Sequence, residues 1–173
     1  MALQLRAAVL TAFLGFCGSA GAQQANPLDV IPDKMPNATP YGAPISLARA
    51  QAAIAAATAE AEKRGWALNV AIVDSGANLV AFARMDGAQL GSIAISEHKA
   101  RASVKFRRPT KAFEEAIQKN NYNYVLTIDD VVGSRGGIPL IEDGKLIGAI
   151  GCSGGTGSQD EAACMVGAAT INK

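Results

Sequence analysis

The stretch GKLIGAIGCSGGTGSQDEA, residues 144–162, runs from a turn through an apolar strand and a glycine-rich loop into the start of a helix. Glycine-rich loops of this kind often bind phosphates, but the sequence has no G-x-x-x-x-G-K-[ST] and no G-x-G-x-x-G in a parallel βαβ setting. Residues 158–161 instead match a capping box that begins at Ser158, and its two carboxylates would repel phosphate. The stretch therefore argues against a nucleotide site. We expect Gly148 and Gly151 to allow the close approach of a helix or of a flat ligand.

The apolar strand of this stretch is half of a predicted β-hairpin. KLIGAIGC (145–152) follows IPLIE (138–142) across Asp143-Gly144, a dipeptide typical of tight hairpin turns. A second hairpin is predicted upstream, where WALNVAIVD (66–74) and LVAFARM (79–85) flank the turn SGAN. Strands joined by tight turns predict a mainly antiparallel sheet.

The segments around the two hairpins have helical patterns. Four helices are predicted, over residues 47–64, 89–106, 111–120 and about 159–171. The segment YNYVLTIDDVVGSRGG (122–137) is ambiguous, with strand-like pieces on either side of Asp129-Asp130. Helices packed on an antiparallel sheet give an α/β (α+β) fold and exclude a doubly wound nucleotide-binding fold.

The N-terminal part of the chain differs from the rest. Arg6, the apolar run Ala7–Phe16 and Ala20-Gly21-Ala22 predict a signal peptide over residues 1–22, since ten apolar residues are too few to span a bilayer. We therefore expect no membrane span and an exported protein that is periplasmic or secreted. Residues 23–44 contain five of the seven prolines and predict an extended arm, followed by one domain over 45–173. The arm is either a flexible leader or a segment that lies on this subunit or on a neighbour.

Composition narrows the class of protein. The 173 residues are 49% hydrophobic and 18% charged, as in a globular domain, and the net charge of +1 gives no basic surface for nucleic acid. The absence of C-x-x-C-H excludes covalent attachment of haem. Cys152 and Cys164 remain after removal of the leader, and three states stay open for Cys152: a packed thiol, a disulfide with Cys164, or an iron thiolate.

Several spaced motifs resemble those of the GlcG/HbpS family, which includes the C-terminal domain of PduO-type proteins. They are GGIPLIEDGKLIGAIGCSGGTGSQDEA (136–162), NVAIVDSGANLVAFARMDGA (69–88), SIAISEHKARAS (92–103) and FRRPTKAF (106–113), and the similarity extends from Ser46 to the C-terminus. The resemblance implies a profilin-like domain with an antiparallel sheet of about five strands between helices, assembled into homo-oligomers. It also implies haem binding and, for some members, haem degradation or a sensory role.

The candidate site residues follow from this expected ligand. His98 is the only histidine, so an imidazole ligand to haem iron would have to come from it; otherwise it is a hydrogen-bonded histidine at the surface or an interface. Arg107 and Arg108 suit haem propionates, because guanidinium groups bind carboxylates bidentately; otherwise they are a solvated helix end. Thr110 is either an N-cap or a hydroxyl offered to a ligand. Met85 and Met165 are alternative thioether ligands, or simply packing residues.

Together these features predict an exported, oligomeric, non-covalent haem-binding protein for haem storage, transfer or sensing. A sensor or redox protein is an expected further partner. The alternatives are a haem-degrading enzyme, an enzyme acting on a small organic acid, and a ligand-sensing or structural module that binds another small molecule. The sequence favours a protein that is not an enzyme, because apart from haem chemistry it contains no recognisable catalytic set.

Overall fold

The computed structural model of the protein describes residues 31–172. The described helices and strands all belong to the unit formed by residues 35–173. In chain order they are α1 (Leu47–Lys63), β1 (Asn69–Asp74), β2 (Leu79–Arg84), α2 (Gly91–Lys105), α3 (Lys111–Gln118), a 3-10 helix (Asn123–Thr127), β3 (Gly137–Glu142), β4 (Lys145–Ser153) and α4 (Gly157–Ala168). No helix within residues 31–172 is long and apolar enough to cross a membrane.

The four strands form one antiparallel sheet in the order β2-β1-β4-β3. Both predicted hairpins are present, and they meet where β1 pairs with β4 from Asn69 opposite Ser153 to Asp74 opposite Gly148. The α/β class is confirmed, but the expected number of about five strands is too high for the described residues. The ambiguous segment supplies the 3-10 helix in place of a strand, and Asp130 in it has a positive φ of 66°, which extended pairing does not tolerate.

Helices cover both faces of the sheet. On one face α1 and α4 pack over Val70, Ile72 and Ile150 in the largest core cluster. On the other face α2 crosses β1, β4 and β3, and Ala100 and Val104 meet Ala71 in a second cluster. This arrangement confirms a sheet between helices.

The close approach expected at Gly151 is confirmed. A Cβ at this position would lie 2.1 Å from the carbonyl oxygen of Ser96 and 2.6 Å from the amide nitrogen of Ala100. The backbone of α2 therefore rests directly on β4, and only glycine leaves room for it. A helix, and not a ligand, occupies the space that Gly151 provides.

The start of α4 differs from the prediction. Thr156, not Ser158, is the N-cap: its Oγ1 accepts from the backbone N–H of Gln159 at 3.3 Å, and Gln159 Oε1 accepts from the N–H of Thr156 at 2.8 Å. The helix begins two residues earlier than the serine box predicts, because Thr-x-x-Gln forms the same reciprocal cap as Ser-x-x-Glu. A disulfide between Cys152 and Cys164 joins β4 to α4, which settles the alternatives left open for Cys152.

The end of the proline-rich arm pairs with β4. Leu146 lies in the part of β4 that extends past the end of β1. Its N–H donates to the carbonyl of Pro40 at 2.8 Å, and its carbonyl accepts from the N–H of Gly42 at 2.8 Å. The N–H of Ile45 donates to the carbonyl of Ile147 at 2.9 Å. In this part of the arm, the chain therefore lies on its own subunit as an extended, parallel segment.

Candidate ligand site

The aromatic groove is a cavity of about 360 Å³ at the end of α2. Its walls come from the turn after α2, from α3 and from the 3-10 helix with its flanks. The lining residues are Phe106, Arg108, Ala112, Phe113, Ala116, Tyr122, Tyr124, Val125 and Ile128. The groove is thus mostly apolar and carries one cation.

The rings of the groove are held by a small satellite core. Phe113 is buried on the inner face of α3, and its ring meets that of Phe106 edge to face, with centroids 5.3 Å apart and planes at 79°. The ring centroids of Tyr122 and Tyr124 lie 6.0 Å apart; Tyr122 packs against the cluster that contains Phe113, and Tyr124 is half exposed. The groove therefore has a fixed inner wall and a side open to solvent.

Arg108 sits at the edge of this aromatic wall. Its guanidinium carbon lies 5.6 Å from the centre of the Phe113 ring, and its Nε donates to the carbonyl of Phe106 at 3.2 Å. The carbonyl of Arg108 in turn accepts from the hydroxyl of Ser103 at 3.0 Å. The positive charge is thereby held beside an apolar surface, a combination that suits a ligand with an apolar body and a carboxylate.

Arg107 points its guanidinium towards the arm. Its Nη1 donates to the carbonyl of Thr39 at 3.3 Å, and its guanidinium carbon lies 5.7 Å from the centre of the Tyr41 ring. The backbone of Arg107 has φ 53°, an uncommon value for a residue with a side chain. Within the part of the chain that the structure describes, neither Arg107 nor Arg108 forms a salt bridge with a carboxylate.

His98 and Thr110 lie outside the groove. His98 is exposed on α2, and the seven residues between it and the end of the helix correspond to about 10 Å along the axis. Thr110 is fully buried, and its Oγ1 accepts from the N–H of Gly137 at 2.9 Å. Thr110 occupies the predicted N-cap position of α3, but its side chain forms no capping hydrogen bond. The hydroxyl is used instead to tie α3 to β3.

The two methionines also lie elsewhere. The sulfur of Met85 accepts from the N–H of Leu68 at 3.4 Å, next to a separate open cavity that Trp66 lines. Met165 is exposed on α4. Of the residues singled out in the sequence, the structure therefore brings only Arg108, with Arg107 beside it, to the aromatic groove.

A second set of charged groups was not recognised in the sequence. Lys99 and Asp160 are both fully buried, with Nζ 2.7 Å from Oδ2 and 3.2 Å from the carbonyl of Cys152. Asp160 Oδ1 also accepts from the N–H of Gly155 at 3.0 Å. Burial raises the pKa of Asp160, while Lys99 and the loop amides oppose that rise.

Next to this pair, Glu114 binds Arg135 through two hydrogen bonds. Its carboxylate accepts from the backbone N–H of Arg135 at 2.8 Å and from the side-chain Nε at 2.7 Å. These bonds lower the pKa of Glu114, and the hydrogen bond from the Arg135 side chain is the main cause. The Lys99–Asp160 pair joins α2 to α4 and β4, and the Glu114–Arg135 pair joins α3 to the loop before β3.

The aromatic groove was also missed, although the sequence contains a signal for it. Four of the nine aromatic residues (five Phe, three Tyr and one Trp) fall within residues 106–124. Such a concentration in a chain with 5% aromatic residues indicates an aromatic cluster. Tyr122 and Tyr124 escaped notice because they lie in the segment whose secondary structure was ambiguous. No group of three or more His, Cys, Asp or Glu that could hold a metal ion occurs in the described residues.

The fold and the groove together define a small mixed α/β domain in which a helix-covered antiparallel sheet carries an apolar groove with a cationic edge. The family model described as "Haem degrading protein HbpS-like" matches residues 45–169, and the chain belongs to this HbpS-like family.

Three relatives illustrate the similarity. Protein GlcG of Escherichia coli K12 is 38% identical over 109 residues, which are 63% of this chain and 81% of GlcG. The crystal structure of HbpS has a TM-score of 0.71 and 28% identity, covering 81% of this chain and 99% of HbpS. The crystal structure of a PduOC–haem complex has a TM-score of 0.67 and 28% identity, covering 75% of this chain and 96% of that one.

Proposed function

We propose that this protein binds haem non-covalently in the aromatic groove. The observation that carries the proposal is the position of Arg108 against Phe113, which places a cation at the edge of an apolar wall. Haem has the matching chemistry, a flat apolar ring with two carboxylates. Membership of the HbpS-like family and the similarity to a domain crystallised with haem support the proposal.

The two arginines are proposed to hold the propionates. Haemin titration of the purified protein should give a saturable change in the Soret band. Arg107→Ala with Arg108→Ala should weaken the affinity by about thirtyfold or more and leave the spectrum nearly unchanged, because the two lost charge-assisted hydrogen bonds cost about 1 kcal/mol or more each. Arg84→Ala removes an exposed arginine on β2, away from the groove, and serves as the matched control. A wild-type protein with no saturable Soret change would reject haem binding and favour another small molecule as the ligand.

The iron ligand requires a separate test. Among the residues lining the groove, only Tyr122 and Tyr124 carry a side-chain atom of a type that ligates haem iron. His98 remains the imidazole candidate from the sequence, on an exposed face of α2. His98→Ala should change the Soret maximum if imidazole binds the iron, whereas Tyr124→Phe should change it if a phenolate does. The haem spectra of the two variants therefore decide between His98 and Tyr124.

Haem storage, transfer or sensing is the role we propose, and haem degradation is the alternative that the family description favours. The haem-loaded protein should keep its Soret band for hours in the presence of oxygen and a reductant. Progressive loss of that band without release of intact haem would indicate a haem-degrading enzyme. Transfer to, or sensing through, a redox or sensor protein should appear as haem movement or complex formation when that partner is added.

Export and self-association complete the proposal. The predicted signal peptide, residues 1–22, lies outside the described residues, and the Cys152–Cys164 disulfide supports an oxidising compartment. Intact-mass measurement on the exported fraction should give a chain that starts near Gln23, and a retained Met1 would contradict cleavage.

Tyr124, Leu126 and Ile128 are exposed apolar groups that support a homo-oligomer. Sedimentation should show several subunits per particle, and a monomer at micromolar concentration would contradict this.

A further inference from the structure

The strap is the arm segment 37–42, which crosses the C-terminal end of α2. The hydroxyl of Tyr41 donates to the last helical carbonyls, those of Val104 at 3.2 Å and Lys105 at 3.0 Å. Arg107 reaches the strap through the carbonyl of Thr39 and the ring of Tyr41. The strap therefore lies against the same corner of the fold as the cationic edge of the groove.

Arg108 is also engaged by the strap. With the amide of Asn37 oriented so that its oxygen faces the guanidinium, that oxygen accepts from Nη2 at 2.7 Å and from Nε at 3.2 Å. The same two nitrogens form the edge of a guanidinium that binds a carboxylate bidentately. The amide of Asn37 thus occupies the position that a ligand carboxylate would take on Arg108.

All strap contacts to the two arginines are made by neutral groups: a backbone carbonyl, a side-chain amide and an aromatic ring. The bonds to the strap gain strength from the arginine charge alone, whereas a carboxylate adds the attraction between opposite charges and a second oxygen for bidentate pairing. A carboxylate that reaches the groove can therefore replace the strap at both arginines. Holding Arg107 at φ 53° and Asn37 at φ 55° adds backbone strain on each side of the contact.

We propose that the strap is a built-in competitor, which occupies the carboxylate subsite of the empty groove and is displaced by the acidic groups of the ligand. This proposal rests on the proposed function, since it assigns the regulation of the same site. Pairing of Pro40, Gly42 and Ile45 with β4 keeps the strap tethered while residues 37–39 and the side chain of Tyr41 move away. The strap then reduces the affinity for dicarboxylate ligands in proportion to the fraction of time it is closed. A strap closed about 90% of the time lowers the affinity about tenfold.

The test compares haemin with haemin dimethyl ester, in which both carboxylates are blocked. Asn37→Ala with Tyr41→Ala removes the amide and the ring that contact the arginines. Thr39→Ala is the matched control, because Thr39 contacts Arg107 through its backbone carbonyl, which the substitution keeps. We expect the double strap variant to bind haemin about three- to tenfold more tightly than wild type, with unchanged affinity for the diester. Thr39→Ala should match wild type for both ligands.

A second background isolates the arginines. When Arg107 and Arg108 are replaced by alanine, the strap substitutions should no longer change the affinity for haemin. Unchanged or weaker haemin binding by the strap variant in the wild-type background would overturn the strap proposal, while haem binding itself would stand. Equal tightening for haemin and diester would also overturn it, because the strap would then block the groove sterically. Haemin binding by neither the wild type nor the strap variant would reject both proposals.

Discussion

At the scale of single residues, the least expected feature is a fully buried lysine. Lys99 comes from the sheet-facing side of α2, and its ammonium meets Asp160 and the carbonyl of Cys152 beneath the glycine-rich loop. Gly136 makes room for this contact, since a Cβ there would lie 3.1 Å from Nζ and 2.9 Å from the Cβ of Asp160. The glycine-rich loop thus closes over an internal carboxylate and not over a phosphate.

Removal of one partner of this pair should destabilise the fold more than removal of both. Asp160→Asn leaves a buried ammonium without its counter-charge and should cost about 3–5 kcal/mol in urea unfolding. Lys99→Met combined with Asp160→Asn removes both charges and should cost less than Asp160→Asn alone. Lys119→Met breaks an exposed pair with Glu115 and should cost under about 1 kcal/mol. Additive losses from the two buried substitutions would contradict a coupled pair.

At the scale of elements, the position of α2 depends on glycines in the strands below it. Gly151→Ala should cost at least about 2 kcal/mol and shift α2, because the new methyl would overlap the carbonyl oxygen of Ser96. Gly91→Ala at the first residue of α2 meets no atom within 4 Å and should be neutral or slightly stabilising. Urea unfolding of both variants provides the measurement. Equal stabilities would show that the sheet and α2 can separate without cost.

The spacing of apolar residues and the residue types at turns were sufficient to predict the helices and hairpins, because these elements have local signals in the sequence. The Asp143-Gly144 turn and both hairpins follow from the sequence, as does the need for close approach at Gly151. The cap of α4 was placed at Ser158 because two similar capping motifs overlap there, and only the backbone path selects Thr156. The expectation of a further strand failed in a segment without regular alternation.

Less of the candidate site could be predicted, since it depends on contacts between distant parts of the chain. Arg108 could be selected as a carboxylate partner from its charge and neighbours. The contacts of Arg108 with Phe113 and Asn37 could not be predicted, because they depend on the positive φ of Arg107 and on the path of the arm. The pairing of Lys99 with Asp160 spans 61 residues and has no local signal.

At the scale of the whole molecule, the C-terminal helix is joined covalently to the sheet. The Cys152–Cys164 disulfide closes a short loop of 12 residues, and both cysteines are fully buried. Cys152→Ala with Cys164→Ala should cost about 2–4 kcal/mol, mainly because the unfolded chain gains freedom. In the presence of a thiol reductant, the wild-type protein should have the same free energy of unfolding in urea as the variant. Equal stability of oxidised wild type and variant would contradict a structural role for the bond.

The dependence of stability on pH should follow Glu114, which connects α3 to Arg135 before β3. Its pKa in the folded protein lies below the ordinary value of 4.5, so this carboxylate stabilises the fold above about pH 4.5 and loses that contribution as the pH falls through the lowered pKa. Glu114→Gln should lose about 1–2 kcal/mol at pH 7, because the amide forms weaker bonds with Arg135 than the carboxylate does.

The variant and wild-type stabilities should converge as the solution is acidified from about pH 5 to pH 3, because the wild-type carboxylate becomes protonated over this range. The raised pKa of Asp160 changes the stability with pH in the opposite direction. Asp160 is present in both proteins, however, so its contribution cancels in the difference between their stabilities. Glu115→Gln is the matched control, because the Glu115 side chain accepts a hydrogen bond from the exposed Lys119 and salt screens that pair. Urea unfolding at each pH gives the comparison. A gap between wild type and Glu114→Gln that stays constant from pH 7 to about pH 3 would show that the charge on Glu114 does not stabilise the fold.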